Sequence, residues 1–389
     1  MIGVAFHVVA AFAAAGPLLG APSPPANAAA TAPNWTVLAY LDARGGLDDA
    51  ATAYEAKLYA AADAAHLGLA MQTISSRANA SLLRRKCQTA TGDRVAVGAE
   101  PAADAAQMLA EFVAWGTQVA PARHYALLIM GHGAGLLQAP SLPPDALRPQ
   151  TLRVGLEMAC SRLGQPLDVI GLDTCYGGTL EVAYSLRKVT RYLTATPGLI
   201  YSPGLDWAGA LSDLSVRPEA PTLVRGLVQR GMPRRNEPLA LVGIDMRQLE
   251  QVCLQVQHLS IALRMDLKQE LPVLVSLRSR CQSWGDKREL VDLGALAEAL
   301  GTSGLTPDVR KAATDLRHGL GSLTLCSWMS PDATSSGVGV GAYFPPTFEP
   351  VPPDYLELFE FPSTSEWGTL LESYWARLVS NLTDATNGP

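Results

Sequence analysis

Seven consecutive residues, His124 to Met130, read HYALLIM: no charge after the first position and hardly a polar group. A strand sends successive side chains to opposite faces. A run that is apolar at every position therefore has to be covered on both faces, as in the centre of a parallel sheet. Asn34 to Leu41, Leu167 to Leu172 and Leu239 to Ile244 have the same character. Leu67 to Ile74 and Arg191 to Thr196 add two further strands, and Cys87 to Val97 a short hairpin. Between them lie segments with helical spacing: Asp48 to Ala65, Ala102 to Val119, Thr151 to Leu163, Gly178 to Val189 and Leu223 to Arg230. In the second of these, Met108, Leu109, Phe112 and Val113 form one apolar face. Strands alternating with amphipathic helices predict an α/β fold, a mostly parallel sheet with helices on both faces.

After Asp245 the pattern changes. Three or four helices are expected up to Leu320, then strands at Leu323 to Cys326 and Gly337 to Phe344, then a last helix carrying Trp367, Leu370, Leu371 and Trp375. The expected organisation is a leader over 1–32, a core over 33–245 and a mixed helix and strand region over 246–389 packed on that core. The leader is apolar, then Ala/Pro-rich, and Ala26-Asn27-Ala28 offers a small-residue cleavage site. This predicts export to a secreted or periplasmic location, although no Lys or Arg precedes the apolar run. No later run reaches the ~20 apolar residues of a membrane span. A net charge of -6 gives no footprint for nucleic acid or anionic lipid. The six cysteines are scattered, none in a CxxC pair, so neither a zinc site nor a dithiol redox pair is suggested.

Two segments follow central strands directly, at the edge where open α/β sheets bind ligands. Gly131-His132-Gly133-Ala134-Gly135 follows HYALLIM, and Asp173-Thr174-Cys175-Tyr176-Gly177-Gly178 follows LDVIGL. Imidazole exchanges protons near neutral pH, so His132 is a candidate acid/base; the other reading is a turn histidine between glycines. Cys175 is a candidate nucleophile, with the start of the next helix expected at Gly178 to favour its thiolate; the other reading is a small apolar residue at a strand end. The pair says more than either member. If their strands are neighbours, both side chains emerge at one edge, in the Cys/His arrangement for acyl transfer. The backbone N–H groups of Gly133 and Cys175 are candidate oxyanion donors. An α/β-hydrolase fits poorly, because there the nucleophile precedes the histidine. His258 and His318 read as surface residues, and His66 and His124 have no catalytic setting.

At these residues the chain resembles the clostripain family of cysteine peptidases, which belongs with caspases, legumains and gingipains. The resemblance lies in NWTVLAYLDARGGLD, FVAWGTQVAPARHYALLIMGHGAG, LDVIGLDTCYGGTLEVAYSLR, RYLTATPGLIYSPGLDWAGAL, ELVDLGALAEAL and GVGVGAYFPP, and so runs from about Asn34 to Trp375. It implies a caspase-like fold, with Cys175 as nucleophile, His132 as acid/base, and Gly133 and Cys175 N–H as the oxyanion hole. It further implies cleavage of a peptide or protein substrate after Arg or Lys. A cation in a pocket needs a carboxylate: Asp173 is the first candidate and Asp206 the second. Thr196 falls on the substrate-side strand, which reads Thr196-Pro197-Gly198 where the family often carries Ser-Gln-Glu. Some relatives use calcium; this sequence shows no EF-hand loop. No cofactor is expected, and a monomer is favoured. Relatives often mature by self-cleavage. Here the loop after His132 contains Arg148, but Pro149 follows it, so no internal cut is expected. The rival from another class is a caspase-like binding module without turnover, motivated by the altered substrate strand.

Overall fold

The apolar runs are covered on both faces. Leu38 and Tyr40, Leu127 and Ile129, and Ile170 and Leu172 point into one core, while Val37 and Ala39, Ala126 and Leu128, and Val169 point into another. The computed structural model describes residues 33–386 except 78–79, 90–91, 100–103, 134, 137–146, 202–203, 231–238, 332, 334–335 and 347–349. The expected leader lies outside the described residues.

The chain runs β1 (Trp35–Asp42), α1 (Asp48–Ala64), β2 (Gly68–Arg77), β3 (Ala80–Thr89), β4 (Gly92–Ala99), α2 (Ala105–Val119), β5 (His124–Met130), α3 (Pro149–Leu163), β6 (Leu167–Asp173), α4 (Leu180–Leu186), β7 (Thr190–Ala195), α5 (Trp207–Leu214), α6 (Ala220–Arg230) and β8 (Ala240–Asp245). It continues with α7 (Leu249–Met265), α8 (Leu267–Arg280), β9 (Ser283–Trp284), β10 (Leu290–Asp292), α9 (Leu293–Gly301), α10 (Pro307–Leu323), β11 (Thr324–Met329), β12 (Gly341–Tyr343), α11 (Pro353–Leu358), α12 (Glu360–Thr364) and α13 (Trp367–Thr386).

Nine strands form one sheet in the order β11-β8-β7-β6-β5-β1-β2-β3-β4. From β7 to β2 every neighbouring pair is parallel. The edges are antiparallel: β3 and β4 beyond β2, and β8 and β11 beyond β7. The expected short hairpin is thus a pair of full-length edge strands. Helices α2, α3, α4, α7 and α10 cover one face, and α1, α5 and α6 the other. This is the expected α/β architecture, parallel through its centre.

Residues Pro33–Pro389 form one compact unit. The region after Asp245 enters the main sheet through β11, and β9, β10 and β12 make a separate antiparallel sheet. Only Gly341–Tyr343 of the expected strand 337–344 is extended in that sheet. The reason lies in Asp292, whose carboxylate accepts from Val338 and Gly339 N–H and draws that stretch into a turn.

The strand order creates a crevice. β1 connects through α1 on one face, and its neighbour β5 connects through α3 on the other. The loops leaving these two strands diverge, which is the topological switch point where open sheets bind ligands.

Candidate active site

β5 and β6 are parallel neighbours with Met130 opposite Asp173. His132 and Cys175 each lie two residues beyond that register pair, so both emerge at the same sheet edge. The loops are held together, with Gly131 N–H donating to the Asp173 carbonyl at 3.3 Å. Gly133 sits against the backbone of Cys175. A Cβ there would run into the Cys175 carbonyl oxygen and come within 2.9 Å of its nitrogen. No other residue has room at this position. Among the described residues, no other residue accepts a hydrogen bond from the N–H of Gly133 or of Cys175.

His132 is half-buried, and its Nε2 lies 3.1 Å from the Gly45 carbonyl oxygen in the loop after β1. A carbonyl only accepts, so in the neutral ring Nε2 carries the proton and Nδ1 the lone pair. This contact spans the crevice between the β1 and β5 loops. The loop is itself pinned where Arg44 grips Asp42 through Nε at 2.8 Å and a terminal nitrogen at 2.6 Å. Gly45 was not among the residues the sequence singled out, because a backbone carbonyl leaves no signature in residue type.

Cys175 is half-buried, and its Sγ accepts from Ile200 N–H at 3.5 Å. The two side chains hydrogen-bond these backbone groups rather than each other. Burial pushes the thiol pKa up, the Ile200 contact opposes this, and the Asp173 carboxylate adds to the rise. The expected thiolate at a helix start is therefore corrected. α4 begins at Leu180 behind its Thr179 cap, and Cys175 lies in the preceding turn, where Tyr176 has φ 61°.

The three expected substrate residues have different surroundings. Asp173 is 4% exposed. Its Oδ2 accepts from the Tyr54 hydroxyl and from Leu205 N–H at 2.9 Å, and burial pushes its pKa up to about 6. Asp206 caps α5, accepting from Gly209 N–H at 3.0 Å; its side chain is 54% exposed and lies 3.6 Å from Arg230. Thr196 is fully buried, with its hydroxyl accepting from Gly198 N–H at 3.2 Å. The backbone of 196–198 is tied to the cysteine loop: Tyr176 N–H donates to Gly198 and Gly178 N–H to Thr196. His258 and His318 are exposed on helices, while His124 stacks on Trp35 and faces Asp168. Among the described residues, no cluster of three or more His, Cys, Asp or Glu could hold a metal, and no helix is long and apolar enough to cross a membrane.

The architecture matches solved structures. Two structures of a secreted C11 cysteine protease from Bacteroides thetaiotaomicron, one in complex with an irreversible peptide inhibitor, superpose with TM-scores of 0.62 and 0.63 at 16% and 15% identity. They cover 86% and 88% of this chain and 99% of theirs. An inactive zymogen C11 protease from Parabacteroides distasonis superposes at 0.58 with 17% identity, over 88% of this chain and 97% of that one. A comparison with curated proteins finds no match. The fold is thus that of the C11 cysteine proteases. The clostripain family profile matches residues 27–375, so the chain belongs to the clostripain family and is a cysteine-type peptidase.

Proposed function

We propose that this peptidase works through a Cys175/His132 dyad and cuts peptide bonds after Arg or Lys. The observation that carries the dyad is the close approach of Gly133 to Cys175, which sets two neighbouring N–H groups beside a thiol with, among the described residues, no acceptor from another residue. His132 Nδ1 takes the proton of Cys175 as sulfur attacks the scissile carbonyl carbon. The resulting oxyanion accepts from the N–H groups of Gly133 and Cys175. The imidazolium then protonates the leaving amine, and water, deprotonated by the same ring, hydrolyses the thioester and frees the thiol. The raised thiol pKa is consistent with proton transfer during attack rather than before it.

A preference for Arg or Lys is supported by Asp173, a buried carboxyl two residues before the nucleophile that, among the described residues, makes no ion pair. Asp206 is already engaged as a helix cap and by Arg230. Export is supported by the leader sequence, with peptides or proteins outside the cytoplasm as substrates. Two fluorogenic peptides ending in Arg and in Asp, given to wild type, Cys175→Ala and His132→Ala, test the reading. Cleavage after Arg that vanishes in both variants is expected. Full activity in Cys175→Ala would sink the dyad, and cleavage only after Asp would sink the basic preference.

A further inference from the structure

The carboxyl of Asp173 is covered. Oδ2 is taken by the Tyr54 hydroxyl and by Leu205 N–H, and Tyr54, on α1, is itself only 6% exposed. Gly204, at φ +76°, closes over the pair; a Cβ there would collide with the carboxyl oxygens and reach within 2.7 Å of the Tyr54 oxygen. The same Tyr54 hydroxyl lies 2.7 Å from the Leu205 carbonyl oxygen. A phenol has one proton, and a carbonyl can only accept. Tyr54 therefore has two acceptors for one hydrogen. It can release Asp173 and keep a partner, so leaving the carboxyl does not orphan the hydroxyl. A cavity of about 280 Å³ is lined by Tyr54, Gly204 and Leu205 but not by Asp173, which gives the ring room to shift.

Resting on the reading of Asp173 as the carboxylate for a basic side chain, we infer that Tyr54 determines specificity. Its hydroxyl caps Asp173 in the free enzyme and competes with the cationic side chain of the substrate for that carboxyl. The guanidinium or ammonium group gains Asp173 only as Tyr54 turns its proton to the Leu205 carbonyl. The cap thus weakens the basic preference below what Asp173 alone would confer.

The test compares two peptides that differ only in arginine or its uncharged isostere citrulline before the cut bond. Tyr54→Phe keeps the ring and removes the competing oxygen. The ratio of kcat/KM for arginine over citrulline should rise about tenfold, the effect of one hydrogen bond to a charged group. Both peptides are read on one preparation, so the ratio does not depend on how much of it is folded. A ratio within twofold of wild type, or lower, overturns the inference. Asp173→Asn separates the two readings. If that variant brings the ratio down towards one while Tyr54→Phe changes nothing, Tyr54 alone is wrong. If Asp173→Asn leaves the ratio untouched, the Asp173 reading fails and takes the cap with it. An arginine peptide that Tyr54→Phe cuts and wild type does not would support the cap strongly; one that neither cuts overturns it.

Discussion

A methyl group at position 133 would run into the Cys175 carbonyl oxygen. Gly133→Ala must therefore push the two loops apart, moving the N–H groups of Gly133 and Cys175 away from the point where an oxyanion would sit. Loss of one such donor typically costs 10²–10³-fold in rate, and a loss of that order in kcat is expected, measured on enzyme whose circular dichroism matches wild type. An active Gly133→Ala enzyme would mean that the oxyanion is held elsewhere. Residue identity made Gly133, His132 and Cys175 legible as candidates, since each is an unusual residue type directly after an apolar strand. Tyr54 and the Gly45 carbonyl were not legible. Tyr54 meets Asp173 across 119 positions of sequence, and an alanine-rich helix with two tyrosines, Tyr54 and Tyr59, carries no sign of which one finds that partner.

Helix α4 leaves the cysteine loop and carries a fully buried carboxyl, Glu181. It accepts from Tyr343 N–H on β12 and from the Tyr355 hydroxyl on α11, both at 2.8 Å. Burial raises its pKa from 4.5 to about 7. The folded protein therefore keeps this proton over a range in which the unfolded chain has lost it. The stability this contributes is complete below pH ~4.5 and is lost as pH rises through ~7. A shift of this size corresponds to roughly 3 kcal/mol. Asp173 and Asp292, raised to about 6, act in the same sense. Glu181→Gln keeps an acceptor for both partners but cannot ionise. Thermal unfolding at pH 5 and pH 8 should show the variant matching wild type at the lower pH and exceeding it at the higher. Equal losses in both proteins between these pH values would place the dependence on other groups.

For the molecule as a whole, the region after Asp245 is built into the main sheet and into the cysteine loop. β11 pairs with β8, and Gly341 N–H donates to the Gly178 carbonyl at 2.9 Å. Arg148 and Pro149, where a basic-specific cut after the histidine loop would fall, form the cap and first residue of α3. An X–Pro bond at a helix start lacks an N–H and is held in place, so purified wild type is expected to stay whole while active. A chain that splits near residue 150, with Cys175→Ala remaining intact under the same conditions, would refute this; gel electrophoresis with active-site labelling reads it.

Apolar runs at every strand position required burial on both faces, and that alone determined a helix-covered sheet with parallel strands at its centre. It could not determine which strands are neighbours, since β5 and β6 are indistinguishable from β8 by composition although β8 runs antiparallel. Strand order is decided by how the connections cross the two faces, a property of the folded chain. The same holds for the site. Local sequence placed a histidine and a cysteine each just past a strand. Only the register of β5 on β6 brought them to one edge, and only packing of α1 and the 204–205 loop covered Asp173, because burial and hydrogen bonding are set by contacts between distant segments.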